Sequence, residues 1–227
     1  MKIVIYALIF ATLFSCGNEK TVLLPEISQS QITEIQDVSA AYLFYDDTQK
    51  DGVELNRKNL ISSTNWLINV DKRLTLEQVI PHIKFLQEKK ANSSHKKAGT
   101  KNYFTCNDTS RKNLGFIDFT DVVYQNELLS NYSGIGSDFK DSDNTTAIAF
   151  DTRDKIIFAS TSLNTKFLET TKDSLAHYMK KCDAKNGLIL LNFNKNLSFQ
   201  NYIEHKSTIE NIKLKEAKIA KKEFIFN

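Results

Sequence analysis

Leu74-Thr75-Leu76-Glu77-Gln78-Val79-Ile80-Pro81-His82 is answered late in the chain by Leu197-Ser198-Phe199-Gln200-Asn201-Tyr202-Ile203-Glu204-His205. Each stretch opens on leucine and then a hydroxyl residue whose oxygen can accept amide hydrogens at a helix start. Each continues with apolar residues at helical spacing, and an isoleucine and a histidine stand in register. An apolar run precedes each: Trp66-Leu67-Ile68-Asn69-Val70 before the first and Gly187-Leu188-Ile189-Leu190-Leu191 before the second. Both runs read as strands. Laying Asn65-Trp66-Leu67-Ile68 on Asn186-Gly187-Leu188-Ile189 carries the match backwards. A strand, cap and helix that recur in this way point to internal duplication.

Outward from these units, Ala41 to Tyr45 and Val53 to Leu55 form a hairpin around the turn chemistry of Asp46 to Gly52. The Thr75-capped helix is expected to carry Leu76, Val79, Ile80, Ile83 and Leu86 on its apolar side, with Pro81 kinking or shortening it. Asn102 to Cys106 reads as a further strand. In the second half, Ala147 to Asp151 and Ile156 to Phe158 make a hairpin, and a long helix is expected from Leu163 to Lys181 on Phe167, Leu168, Leu175, Tyr178 and Met179. Ser198 caps another helix, and Phe224 to Phe226 close the chain as a strand. The expected class is α+β, or α/β, in two related β-β-α-β-α-β-like units. These span 41–106 and 145–227 and are joined by a connector over 107–144, the first lacking most of the helix after its hairpin.

The amino end reads as an export signal. Met1-Lys2 supplies a positive start, and Ile3 to Leu13 is apolar without a charge. A spanning helix needs about 20 apolar residues, and this run is shorter. Leu13-Phe14-Ser15-Cys16 resembles the lipobox of bacterial lipoproteins, in which a small residue precedes a cysteine that is alkylated with diacylglycerol; Phe14 is bulkier than the usual residue there. An ordinary secretory signal or an apolar amino-terminal helix is the alternative. The lipobox implies removal of residues 1–15, lipidation of Cys16 and a lipid-anchored tether over 16–40, where Pro25, Ser28, Gln29, Ser30 and Gln31 interrupt regular patterning. Each buried acyl methylene adds about 0.8 kcal/mol, so several chains on one residue anchor stably. The expected location is the bacterial cell envelope, on the periplasmic face or the cell surface, with the membrane engaged through Cys16.

The 30 basic and 27 acidic residues leave a formal charge of +3, too weak a field for nucleic acid as a partner. Cys106 and Cys182 remain after maturation, as a possible disulfide or as two separate apolar thiols; no short Cys/His spacing suggests zinc. Histidines 82, 95, 177 and 205 fall in no protease or catalytic-cysteine pattern. His82 and His205, at matched helical positions, are either a ligand or acid-base pair or simply surface residues. Asp46, Asp47, Asp51, Asp71 and Asp151 sit at turns, where aspartate accepts nearby amide hydrogens. Asp138, Asp141 and Asp143 resemble a calcium loop but lack its alternation and terminal glutamate, and Ser133 to Ser137 reads as a connector rather than a nucleotide loop. Lys89, Lys90, Lys96 and Lys97, and a second run from Lys213 to Lys222, read as solvated faces that could also attract anionic lipid or cell-wall polymer. No residue is nominated as catalytic, cofactor-binding or metal-ligating, and the expectation is binding rather than catalysis. A hydrolase would need two or more titratable groups converging in one pocket, and an inhibitor or immunity-type protein would need an exposed apolar patch.

Leu24-Pro25, the Ala41 to Leu55 hairpin and the Trp66 to Gln87 strand and capped helix together resemble the periplasmic domain of the ExbD/TolR biopolymer-transport family. The resemblance covers residues 24–106 and, more loosely, 145–227. It implies an envelope domain that pairs with itself as a homodimer, with peptidoglycan, or with peptide segments of envelope proteins. The family's membrane-helix aspartate has no counterpart in the apolar amino-terminal run, so proton conduction is not implied.

Overall fold

The computed structural model describes residues 20–95, 97–127, 144–160, 163 and 167–227. The class is α+β: among the described residues, twelve strands form two mixed sheets and three helices pack on them. The first sheet holds β2 (Val38–Tyr45), β3 (Val53–Asn56), β4 (Asn65–Val70), β5 (Asn102–Asp108) and β6 (Asn113–Asp118), with the two-residue β1 (Glu26–Ile27) beside the end of β5. Its order is β3-β2-β4-β5-β6, with β2, β4 and β5 parallel and β3 and β6 antiparallel to their neighbours.

The second sheet repeats this plan as β9 (Ile156–Ser160), β8 (Thr145–Phe150), β11 (Leu188–Asn194) and β12 (Lys218–Phe226). It is completed on one side by β7 (Val123–Glu127) and on the other by β10 (Leu168–Thr170). β7 comes from the stretch before β8, so the residues read as a connector over 107–144 carry the end of β5, all of β6 and the edge strand of the second sheet. Helices α1 (Leu76–Ala91) and α3 (Phe199–Glu210) occupy matched places in the two units, and α2 (Lys172–Lys181) belongs to the second alone. No helix among the described residues is long and apolar enough to cross a membrane.

The two units meet head to head at the stretches that decide the fold. Thr75 and Ser198 form an isolated antiparallel bridge, in which Leu76 N donates to Leu197 O at 2.9 Å and Phe199 N donates to Leu74 O at 2.6 Å. Glu77 N to Lys195 O (2.9 Å) and Gln200 N to Lys72 O (3.1 Å) continue the reciprocity. These amides belong to the first turns of α1 and α3 and have no partner inside their own helix, so each unit satisfies the other's orphan donors. Thr75 forms a full capping box with Gln78, and Ser198 accepts from Asn201 N.

The register of the repeat differs from the match at Asn65 and Asn186. Asn69 donates to Ala41 O at 3.1 Å and Asn192 donates to Ile148 O at 3.2 Å, so Asn69 and Asn192 are the equivalent strand residues. Trp66 therefore corresponds to Ile189. The asparagines, buried and bonded to a neighbouring strand, fix a register that apolar similarity left free by two residues.

Pro81 lies inside α1 without ending it. Near the helix start it removes only the bond to the Glu77 carbonyl, and both residues are exposed. The helix expected from Leu163 instead begins at Lys172: Leu168, Glu169 and Thr170 pair antiparallel with Phe158, Ile157 and Ile156, and Thr171 holds extended φ and ψ at the N-cap. The pairing wins over the apolar spacing of Phe167 and Leu168 because Thr170-Thr171, β-branched in tandem, favours strand. The span read as a tether is also folded from Lys20 onward. Leu23 N donates to Asp71, Asn107 N donates to Pro25 O, and Ile27 and Ser30 are buried.

Alternation along the strands sends Ala41, Leu43, Ile68, Phe104, Ile148, Leu191 and Phe193 into one continuous core with the apolar sides of all three helices. Phe104 of the first sheet stacks on Phe119 at 3.9 Å between ring centroids and meets Phe199 of α3 edge-on at 5.1 Å, so the two units share this core.

Candidate binding groove

The crossing from the first sheet to the second, between Asp118 and Val123, passes over the carboxyl-terminal half of α1. Gln87 Nε2 pins it there by donating to Val122 O at 2.9 Å. Between this crossing, α1 and the turn around Gly99 lies a cavity of about 760 Å³ lined by Lys84, Gln87, Lys90, Thr100, Val122 and Val123, among others. Val123 opens β7, the outermost strand of its sheet among the described residues, and is half exposed. One wall of the cavity is therefore an edge strand, whose outward backbone groups can accept an added strand.

Lys90 stands at the back of this groove. It is 7% exposed, and its Nζ donates to Lys101 O at 2.8 Å and to Asn102 Oδ1 at 3.0 Å while lying 5.1 Å from the Trp66 ring centroid. Burial pushes this ammonium down to about 8, because dipoles and a π face replace water less completely than a carboxylate would. Lys84 and Lys97 line the same cavity, with Glu88 and Asp121 as its acidic members; Lys97 pairs with Asp37 at 3.7 Å and Asp121 with Lys221 at 2.8 Å. The groove thus offers apolar walls, an edge strand and a basic rim.

Behind its wall the second unit buries a polar chain. Tyr124 of β7 and Tyr202 of α3 share a hydrogen bond of 3.1 Å, Tyr202 Oη donates to Glu223 at 2.7 Å, and Lys206 Nζ donates to the other Glu223 oxygen at 2.5 Å. Burial and the Glu223 charge push both tyrosines well above their ordinary range. The chain holds β7, and with it the groove, to α3 and β12.

A second cavity, of about 660 Å³, lies between the Glu26–Gln29 segment and α2 and α3. Its Arg153 and Lys172 both pair with Glu204, whose carboxyl they hold low against the opposing effect of burial. Those charges are already matched to one another.

The residues singled out in the sequence are scattered. Cys16, Ser133 to Ser137, Asp138, Asp141 and Asp143 lie outside the described residues. Cys106 and Cys182 are free, buried thiols: the first is in the middle of β5 and the second caps α2, each filling its own part of the apolar core. Burial raises the Cys106 thiol far above its usual range and leaves it inert. His82 lies 3.2 Å from Asp51 in its own unit's hairpin turn, whereas His205 is 1% exposed against the Phe150 ring. Burial pushes His205 down to about 4. Matched in sequence, the two histidines serve separate hairpins and form no pair. Asp46, Asp51 and Asp71 each accept a nearby amide, as their turn positions predict. Among the described residues no three His, Cys, Asp or Glu side chains gather as a metal site.

Sequence reading missed β7 and misplaced Lys90 in a solvated run. A signal for Lys90 existed, since it continues the buried spacing Ile83, Leu86 by one further turn. Comparison with family models, with curated proteins and with solved structures gives no match.

Proposed function

We propose that this chain is an envelope lipoprotein, anchored through Cys16, that binds a peptide segment of another envelope protein as an added strand along β7. The observation carrying the binding half of this reading is the groove itself: an edge strand, an apolar floor and the basic Lys84, Lys90 and Lys97 in one cavity of about 760 Å³. Main-chain bonds to β7 supply affinity, and the lysines select acidic flanks on the incoming segment. The anchoring half rests on the Leu13 to Cys16 sequence. The folded body starts within four residues of Cys16.

A photoreactive residue at Val123 in intact cells tests the binding half. It is expected to capture an envelope protein, and capture is expected to disappear when Lys84 and Lys97 are both changed to glutamate. Capture that is unaltered by the charge reversal contradicts the groove reading.

A further inference from the structure

The outer face of the first sheet, opposite its helices, carries Tyr42, Phe44, Leu67 and Leu114 beside the buried Tyr103 and Phe116. Their strand positions alternate with the core residues Ala41, Leu43, Ile68, Phe104 and Ile117. Tyr42 and Phe44 stack at 5.7 Å between centroids, both are half-buried, and Leu114 is exposed. The three described helices send their buried residues into the opposite face, so none of them covers this surface. Among the described residues three carboxylates stand on its strands: Glu54 beside Phe44, Asp118 beside Tyr103 and, on β1, Glu26 beside Asn107. Lys20 pairs with Glu54, Lys101 pairs with Asp118 at 2.8 Å, and Lys72 pairs with Glu26 at 2.6 Å. Asn69, in the middle, is turned to the Ala41 carbonyl. An aromatic and aliphatic sheet face whose three carboxylates are each paired with a lysine has the composition found where proteins meet the headgroup zone of a bilayer.

The amino-terminal segment supplies the second observation. Lys20 reaches Glu54 on this face and Asp46 at its corner, and Cys16 precedes Lys20 by four residues. Four residues span at most about 14 Å. Contacts of the same segment with the second unit fall instead on α3 and its C-cap, at Gln200 and Asn211.

We propose that the Tyr42–Phe44 face of the first sheet lies against the bilayer interface, seated there by the acyl chains of Cys16; the proposal rests on the lipid-anchor reading above. The arrangement orients the molecule. The groove beside α1 is built on the helix side of this sheet, so it opens away from the lipid.

The test uses full-length protein reconstituted into phosphatidylcholine–phosphatidylglycerol vesicles with or without brominated acyl chains, which quench indole emission on contact. Phe44→Trp, with Tyr42→Trp as a second reporter should the first fail to fold, is compared with Ile157→Trp on the outer face of the other sheet. Incorporation of radiolabelled palmitate is followed in parallel. The wild-type protein sets the baseline, because its single tryptophan, Trp66, is 2% exposed. Emission from position 44 or 42 is expected to be lost to the brominated chains, while Ile157→Trp and the wild type keep theirs. Labelled protein with position 44 unquenched, or with 44 and 157 quenched alike, overturns the face. Unlabelled protein overturns the anchor and the proposal with it.

Discussion

Replacing Glu223 by glutamine strands the Lys206 ammonium in the core, and the internal repeat gives this perturbation its own control. The side chains of Lys206 and Glu223 are 11% and 2% exposed and meet at 2.5 Å, with Tyr202 donating to the second carboxylate oxygen. By the register of the two units, Glu223 stands opposite Leu191 where Phe104 stands opposite Ile68, and Lys206 occupies the helical position of Ile83. One unit thus fills with phenylalanine and isoleucine the places that the other fills with an ion pair. Breaking a buried pair from one side costs about 3–5 kcal/mol, whereas exchanging both partners for apolar residues of similar volume is neutral or stabilising. Against a total stability of about 5–15 kcal/mol, Glu223→Gln, Glu223→Leu or Lys206→Met alone should move the urea midpoint far down. Lys206→Met with Glu223→Leu should recover most of the loss, giving a large coupling in the double-mutant cycle. Unfolding followed by Trp66 fluorescence and circular dichroism reads all four corners. Single variants that each cost under about 1 kcal/mol, or losses that simply add in the double variant, refute the idea that this pair is a desolvated unit.

Other expectations follow from buried groups and close approaches. His205, held down to about 4 against an unfolded value near 6.5, stays neutral in the fold while the unfolded chain takes up a proton between those values. Stability should therefore fall as pH drops from about 6.5 to 4, by a few kcal/mol at most, and His205→Leu should flatten that limb of the pH–stability curve. Lys90, also depressed, acts in the alkaline range: the unfolded chain keeps its proton between about 8 and 10.5 while the fold gives it up, so stability should rise with pH there, and Lys90→Met should abolish the rise. At Gly115 an added Cβ would lie 2.5 Å from Ser30 Cβ and 2.9 Å from its Oγ. Gly115→Ala should cost about 1–3 kcal/mol and expose the Ser28 to Ile32 segment to limited proteolysis. Uncut protein would show that the segment is held elsewhere.

Sequence periodicity carried the strands and helices whose two faces differ. Thr75 and Ser198 are caps, Ala41 to Tyr45 and Val53 to Leu55 are hairpin arms, and the α+β class holds. Pairings settled at long range escaped it. β10 becomes a strand because β9 offers an open edge to Leu168–Thr170, and β7 is decided by β12, nearly a hundred residues further on. The repeat was legible in the helix caps, where side chains do the same local work twice. It was displaced by two residues in the strands, where only the cross-strand bonds of Asn69 and Asn192 set the register. The groove was illegible for the same reason as β7, since one of its walls exists only once the second sheet has closed. Lys90 was legible as a residue type and not as a buried one, because a lysine run resembles a solvated loop until α1 is seen to continue beneath it.

Mass spectrometry of the amino-terminal peptide from membrane-purified protein tests the central claim most directly. The account predicts a chain beginning at Cys16 and heavier than its amino acids by a diacylglycerol group. A peptide that still begins at Met1, or one beginning at residue 16 with an unmodified thiol, contradicts it.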